Sequence, residues 1–156
     1  MNRREALLGA AAASLALAGA ARAAPRSDDL ERLLGLERRL AAAYEAALAR
    51  DAIDPALGRL LLGHEREHVR GLEQALGGGP RALAPAPKTG LDFSSRRAFA
   101  RSALDLERQT VDEYVDVLST LGNDRLLQPL GSIMACGAQH EVALRQVLGE
   151  DLLQRN

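Results

Sequence analysis

One turn of helix, His64-Glu65-Arg66-Glu67-His68, gathers two imidazoles and two carboxylates into five residues. Side chains three or four apart share a helical face, so Glu65 and His68 can offer one oxygen and one nitrogen to the same metal ion. Written as H-E-x-x-H, the stretch is also the zinc-protease pattern, with His64 and His68 as ligands and Glu65 as general base. A third reading is plain: polar residues on the wet face of a surface helix. The elements that would have to position these side chains decide among the three.

The first 23 residues read as an address. Asn2-Arg3-Arg4-Glu5 precedes an apolar run from Ala6 to Ala21, broken only by glycines and Ser14, which closes on Ala21-Arg22-Ala23, an A-x-A cleavage pattern. The paired arginines point to twin-arginine export, and hence to a periplasmic or secreted protein. Residues 24–156 then form one domain with one core. No later stretch is long and apolar enough to span a bilayer. The whole chain has 20 basic and 21 acidic side chains, and cleavage would remove three arginines and one glutamate, so the remainder is slightly acidic and poorly suited to nucleic acid. A single cysteine, Cys136, excludes an intrachain disulfide. Aromatics make up 3% of the chain while Ala and Leu dominate, a composition suited to packed helices rather than strands.

Four helices follow from periodicity and punctuation. Helix one begins near Ser27-Asp28-Asp29 and runs to about Arg50, with Leu30, Leu33, Leu34, Glu37, Leu40, Ala41, Tyr44 and Leu48 on one stripe. Asp54-Pro55 reads as an N-cap and first helical residue opening helix two, which ends at Gly77-Gly78-Gly79-Pro80. From Gly77 to about Phe93 the chain is Gly, Pro and Ala without periodicity, far longer than most helix–helix links and long enough to cross the height of a bundle. Ser94 or Ser95 caps helix three, which runs to about Leu121 with Phe99, Ala103, Leu106, Glu107, Val111, Tyr114 and Leu118 on its stripe. Gly122-Asn123-Asp124 turns the chain into helix four, which ends near Gly149; Pro129 either opens that helix after a separate turn or kinks it.

The two halves repeat. An offset of 70 aligns Leu36-Glu37-Arg38…Tyr44…Leu48 with Leu106-Glu107-Arg108…Tyr114…Leu118. An offset of 72 aligns His68, Leu72, Gln74, Leu76 and Gly77 with His140, Leu144, Gln146, Leu148 and Gly149, and pairs His64 with Cys136. Glutamates recurring inside two apolar stripes are not explained by a wet face, because burying them unpaired is costly. The protease reading lacks a third ligand and an edge strand to hold a peptide. A bundle core with one glutamate from each of helices one and three and a Glu-x-x-His pair from helices two and four fits the repeat.

On these residues, and on Gly137-Ala138-Gln139-His140…Leu144-Arg145, the chain resembles bacterial exported ferritin-like domain proteins of the twin-arginine type. The resemblance implies an all-α, ferritin-like four-helix bundle with a long crossover between helices two and three. It implies a di-metal site in which Glu37 is a terminal ligand, Glu65 bridges and His68 completes the first metal, while Glu107 and His140 serve the second. The ions would be iron, or manganese or zinc, and with iron the implied activity is Fe(II) oxidation by oxygen or peroxide, in storage or oxidative-stress protection. One departure stands out: a second bridging glutamate is expected three residues before His140, and Gly137 occupies that place. Cys136 could offer a thiolate from one turn before His140, although a single cysteine is more often a small core residue. Arg66, Arg70, Arg97 and Arg108 are expected at the surface without a catalytic role. The competing class is a metal-free bundle, with Gly137 the trace of a lost site, that serves as a structural, stress-related or partner-binding module. Oligomeric state and organic substrate are not written in these patterns.

Overall fold

The computed structural model describes residues 27–78, 90–121 and 125–150. Within them the chain forms four helices, α1 (Ser27–Ala49), α2 (Pro55–Ala75), α3 (Arg96–Thr120) and α4 (Leu127–Leu148), in an antiparallel bundle. The expected leader, the centre of the crossover and the Gly122-Asn123-Asp124 turn lie outside the described residues.

Punctuation in the sequence becomes capping in the structure. Asp54 accepts from the backbone N–H groups of Ala56 and Leu57, both at 3.0 Å, with Pro55 opening α2. Ser95, not Ser94, caps α3 through a 3.0 Å bond from the Ala98 N–H. Residues 125–126 form a turn and Pro129 falls in the first turn of α4, where its missing N–H has no intrahelical acceptor to lose. The repeated glycines end α2 and α4 alike. Gly77 (φ 100°) and Gly149 (φ 71°) both take the left-handed region, and their N–H groups bond the carbonyls of Gln74 and Gln146.

The stripes bury as the 3.6-residue period requires, with a small rotation. Ala47 is buried where Leu48 is partly exposed, and Thr110 and Val117 are buried where Val111 and Leu118 are partly exposed. Small side chains at such positions let helix axes approach. The apolar core has two parts. One, built around Tyr44, Phe99 and Leu144, fills the end where α1 stops and α3 starts; the other, around Leu33, Leu72 and Leu130, fills the opposite end. Between them lies a polar layer from all four helices.

Contacts along the bundle fix the long connection. α2 ends beside the core of Leu30 and Leu121, while Arg96 at the start of α3 bonds the Asp51 carbonyl at the other end, at 3.2 Å. The end of α2 and the start of α3 therefore lie at opposite ends of the bundle, as a crossover requires. Its last part is described: Gly90 lies near Arg39 in mid-α1, and Phe93 stacks on Phe99 beneath the Arg50 guanidinium.

Candidate metal centre

The polar layer is built by the repeat. Glu37 of α1 and Glu107 of α3 point inward from antiparallel helices, and each is held by the tyrosine of the other half. The Tyr114 hydroxyl donates to Glu37 Oε1 at 2.7 Å, and the Tyr44 hydroxyl to Glu107 Oε1 at 2.5 Å. Each tyrosine lies two turns from its own helix's glutamate but serves the opposite one, because α1 and α3 run in opposite directions. Burial, with the neighbouring Glu107 and Glu37 carboxylates, pushes both phenols well above the usual range, so they remain donors.

α2 and α4 supply the rest. His68 Nδ1 lies 3.2 Å from Glu37 Oε2 and 3.4 Å from Glu65 Oε2; His140 Nδ1 lies 3.2 Å from Glu107 Oε1 and 2.9 Å from Glu65 Oε1. Glu37, Glu65, Glu107 and His140 are all nearly inaccessible to solvent, and His68 is about nine-tenths buried. All five expected ligands converge. They form two sets, Glu37/Glu65/His68 and Glu65/Glu107/His140, within each of which the ligand atoms lie inside 4.8 Å of one another. Glu65 belongs to both.

Burial and charge set Glu37, Glu65, His68 and His140 in different directions. Burial alone would lower the imidazoles, but the glutamate oxygens around them raise His68 to about 11 and His140 to about 10. Burial, with the Glu65 carboxylate beside it, raises Glu37 despite His68. For Glu65 burial works upward too, but the His140 and His68 imidazoles and the neighbouring Glu37 carboxyl outweigh it and hold the carboxyl below its ordinary value. Without metal, protons on the two imidazoles balance the acids.

The fit to a cation rests on Glu65. Both of its oxygens are buried, and neither has a hydrogen bond; the two imidazole nitrogens beside them are near enough for ion pairs but not aligned as donors. An acceptor-only group in that condition is costly unless something positive sits on it. One oxygen faces each set, which suits a carboxylate bridging two positions. The donor types, carboxylate and imidazole, suit iron, manganese or zinc.

Gly137 faces the same layer. A Cβ there would lie 3.8 Å from Glu107 Oε2 and 3.1 Å from Val111 Cγ2, so the position addresses the site although Val111 crowds it. Glu141 pairs outward with Arg108 at 3.5 Å, and Gln139 is exposed, so neither substitutes for the absent carboxylate. Arg66 and Arg70 make surface pairs with Glu45 and Glu67.

A family model for the ferritin-like domain matches residues 27–150, the whole of the described bundle. The chain belongs to the ferritin-like domain family. No curated protein and no solved structure matches the chain. Within this ferritin-like domain the H-E-x-x-H reading fails geometrically, since His64 and His68 turn to different groups: His68 to Glu37 and Glu65, His64 to Cys136 and His140.

That second grouping corrects the expectation of Cys136 as a core residue. Cys136 is only partly buried, and its Sγ lies 3.4 Å from His140 Nε2 and 3.6 Å from His64 Nδ1. The signal was the repeat itself, which pairs His64 with Cys136. No helix among the described residues is long and apolar enough to cross a membrane.

Proposed function

We propose that this ferritin-like domain is an exported metal-binding protein whose Glu37, Glu65, His68, Glu107 and His140 hold one or two ions of iron, manganese or zinc. Glu37, Glu65 and His68 make the complete position. Glu107 and His140, with the second oxygen of Glu65, make a poorer one, because Gly137 supplies neither a ligand nor the negative charge that two divalent cations need. The observation that carries the reading is Glu65, a buried carboxylate with both oxygens unbonded between two imidazoles.

With iron bound, such a site supplies one-electron chemistry toward oxygen or peroxide, in keeping with iron oxidation, storage or protection from oxidative stress. The chain's own residues do the preparatory work. Tyr114 and Tyr44 fix the rotamers of Glu37 and Glu107 by hydrogen bonds from opposite sides. The two apolar cores close the layer above and below, keeping water from competing for the carboxylates. His68 and His140 must give up their protons for metal to enter, so loading releases protons. The leader at residues 1–23 would deliver the folded domain through the twin-arginine route to the periplasm or beyond.

The metal-free reading has one observation on its side: tyrosine and histidine already satisfy Glu37 and Glu107. It leaves both Glu65 oxygens buried without a hydrogen bond, held only by ion pairs to the two imidazoles. Equilibrium dialysis of the purified protein against Fe(II), Mn(II) and Zn(II) separates the two readings. Near-stoichiometric metal in wild type and a loss in Glu65→Ala, with helical content retained, is the expected result. No metal under any of the three conditions would establish the metal-free bundle instead.

A further inference from the structure

We propose that His64, Cys136 and His140 form a second metal site of different chemistry, two imidazole nitrogens and one thiolate, for a thiophilic late transition ion such as Zn(II) or Cu(I).

The three side chains meet where α2 and α4 face each other. His64 Nδ1 lies 3.0 Å from His140 Nε2, and Cys136 Sγ lies 3.4 and 3.6 Å from these two nitrogens. Tetrahedral zinc, with bonds of ~2.3 Å to sulfur and ~2.05 Å to nitrogen, separates its ligand atoms by ~3.5 Å for sulfur and nitrogen and ~3.3 Å for two nitrogens. The triangle is already of that size, so an ion enters after small rotations of the rings. The imidazole planes are parallel within 5°, yet their centroids are 5.3 Å apart while the facing nitrogens are at 3.0 Å. The rings therefore meet edge to edge, with nitrogen toward nitrogen.

His140 divides its two nitrogens between two chemistries. Nδ1 faces Glu65 and Glu107, and Nε2 faces Cys136 and His64. A metal on Nε2 leaves Nδ1–H to be donated to a buried carboxylate, an arrangement that fixes the tautomer and orientation of metal-bound histidines. The carboxylates of the first site thus become the support of the second. Thiolate and imidazole select softer ions than carboxylate does. On binding, the Cys136 thiol gives its proton to solvent, and His64 carries its ring proton on Nε2 so that Nδ1 is free. Three protein ligands leave one tetrahedral position open. His64 and Cys136 are both partly exposed, which gives the ion a way in.

Sequence and symmetry agree with this division. His64 and Cys136 are equivalent positions of the repeat, as are Glu65 and Gly137. In the second half the bridging carboxylate is missing and the residue before it is a thiol. Use of His140 Nε2, with Nδ1–H kept, removes this histidine from the poorer carboxylate position. The domain then holds one ion on Glu37/Glu65/His68 and one on His64/Cys136/His140.

Co(II), which reports its ligands optically, is the probe. Titrated into the full chain under reducing conditions, it should produce a near-ultraviolet thiolate-to-cobalt charge-transfer band that saturates at about one equivalent and is abolished by Zn(II). Cys136→Ser and His64→Gln should each lose the band while retaining Mn(II) binding and helical circular dichroism. Glu37→Ala should keep the band and lose Mn(II). No band in wild type, or a band unchanged in Cys136→Ser, would overturn the proposal. A band without Mn(II) binding would uphold it and overturn the carboxylate-site reading instead.

Discussion

Glu65 sits between two imidazoles with neither oxygen hydrogen-bonded, and its surroundings set how the metal-free and metal-bound forms respond to pH. His68 and His140 have folded values of about 11 and about 10 against an ordinary 6.5, so their contribution to stability is full below pH 6.5 and is lost as pH rises through those folded values. Glu65, held below its ordinary 4.5, contributes above that value and loses the contribution as pH falls through its folded value. Glu37, raised above 4.5, adds a loss as pH rises. The metal-free protein should therefore be most stable in weak acid. In chelator its melting temperature should fall between about pH 6 and about pH 9, while the increment from added Mn(II) grows, since metal replaces the imidazole protons. Thermal melts followed by circular dichroism check both slopes; a flat metal-free profile would mean that the imidazoles are not protonated in the fold. Tyr114→Phe should cost about 1–3 kcal/mol in urea unfolding, by taking the hydroxyl from Glu37 Oε1 in a buried setting.

At the scale of the element, α1 to α3 were legible and α4 was less so, for reasons in the residues. Asp54-Pro55 and the Glu37 and Glu107 stripes announce themselves because capping and 3.6-residue periodicity are local. The one-residue rotation that buries Ala47, Thr110 and Val117 depends on how closely neighbouring helices approach, which no single helix encodes. In α4, Pro129, Gly131 and Gly137 weaken the pattern, and Val142 and Val147 are apolar yet exposed. Convergence of the five ligands was readable from the repeat. The crossing of Tyr44 to Glu107 and Tyr114 to Glu37 was not, because it depends on the antiparallel pairing of α1 with α3. α4 is also where the site can be changed. Gly137→Glu combined with Val111→Ala, which clears the 3.1 Å contact, should add bound Mn(II) relative to wild type in equilibrium dialysis. An unchanged stoichiometry would mean that position 137 does not address the carboxylate layer.

On the scale of the whole molecule, two similar helical hairpins face each other with their acids, phenols and imidazoles in one layer between two apolar cores. Within that layer two pairs of equivalent positions differ: Glu65 against Gly137, His64 against Cys136. The first half carries a carboxylate at this place, and Gly137, its counterpart in the second, is bordered by a thiol. The layer also ties the four helices together, so a ligand that binds only the folded bundle stabilises all of it. The measurement that reaches the central claim most directly is an anomalous difference map from crystals of the protein grown with Mn(II). A peak in contact with Glu37, Glu65 and His68, at the ~2.0–2.3 Å expected of such ligands, is the predicted result. Well-ordered crystals with Mn(II) in the medium and no peak among these three residues would contradict it.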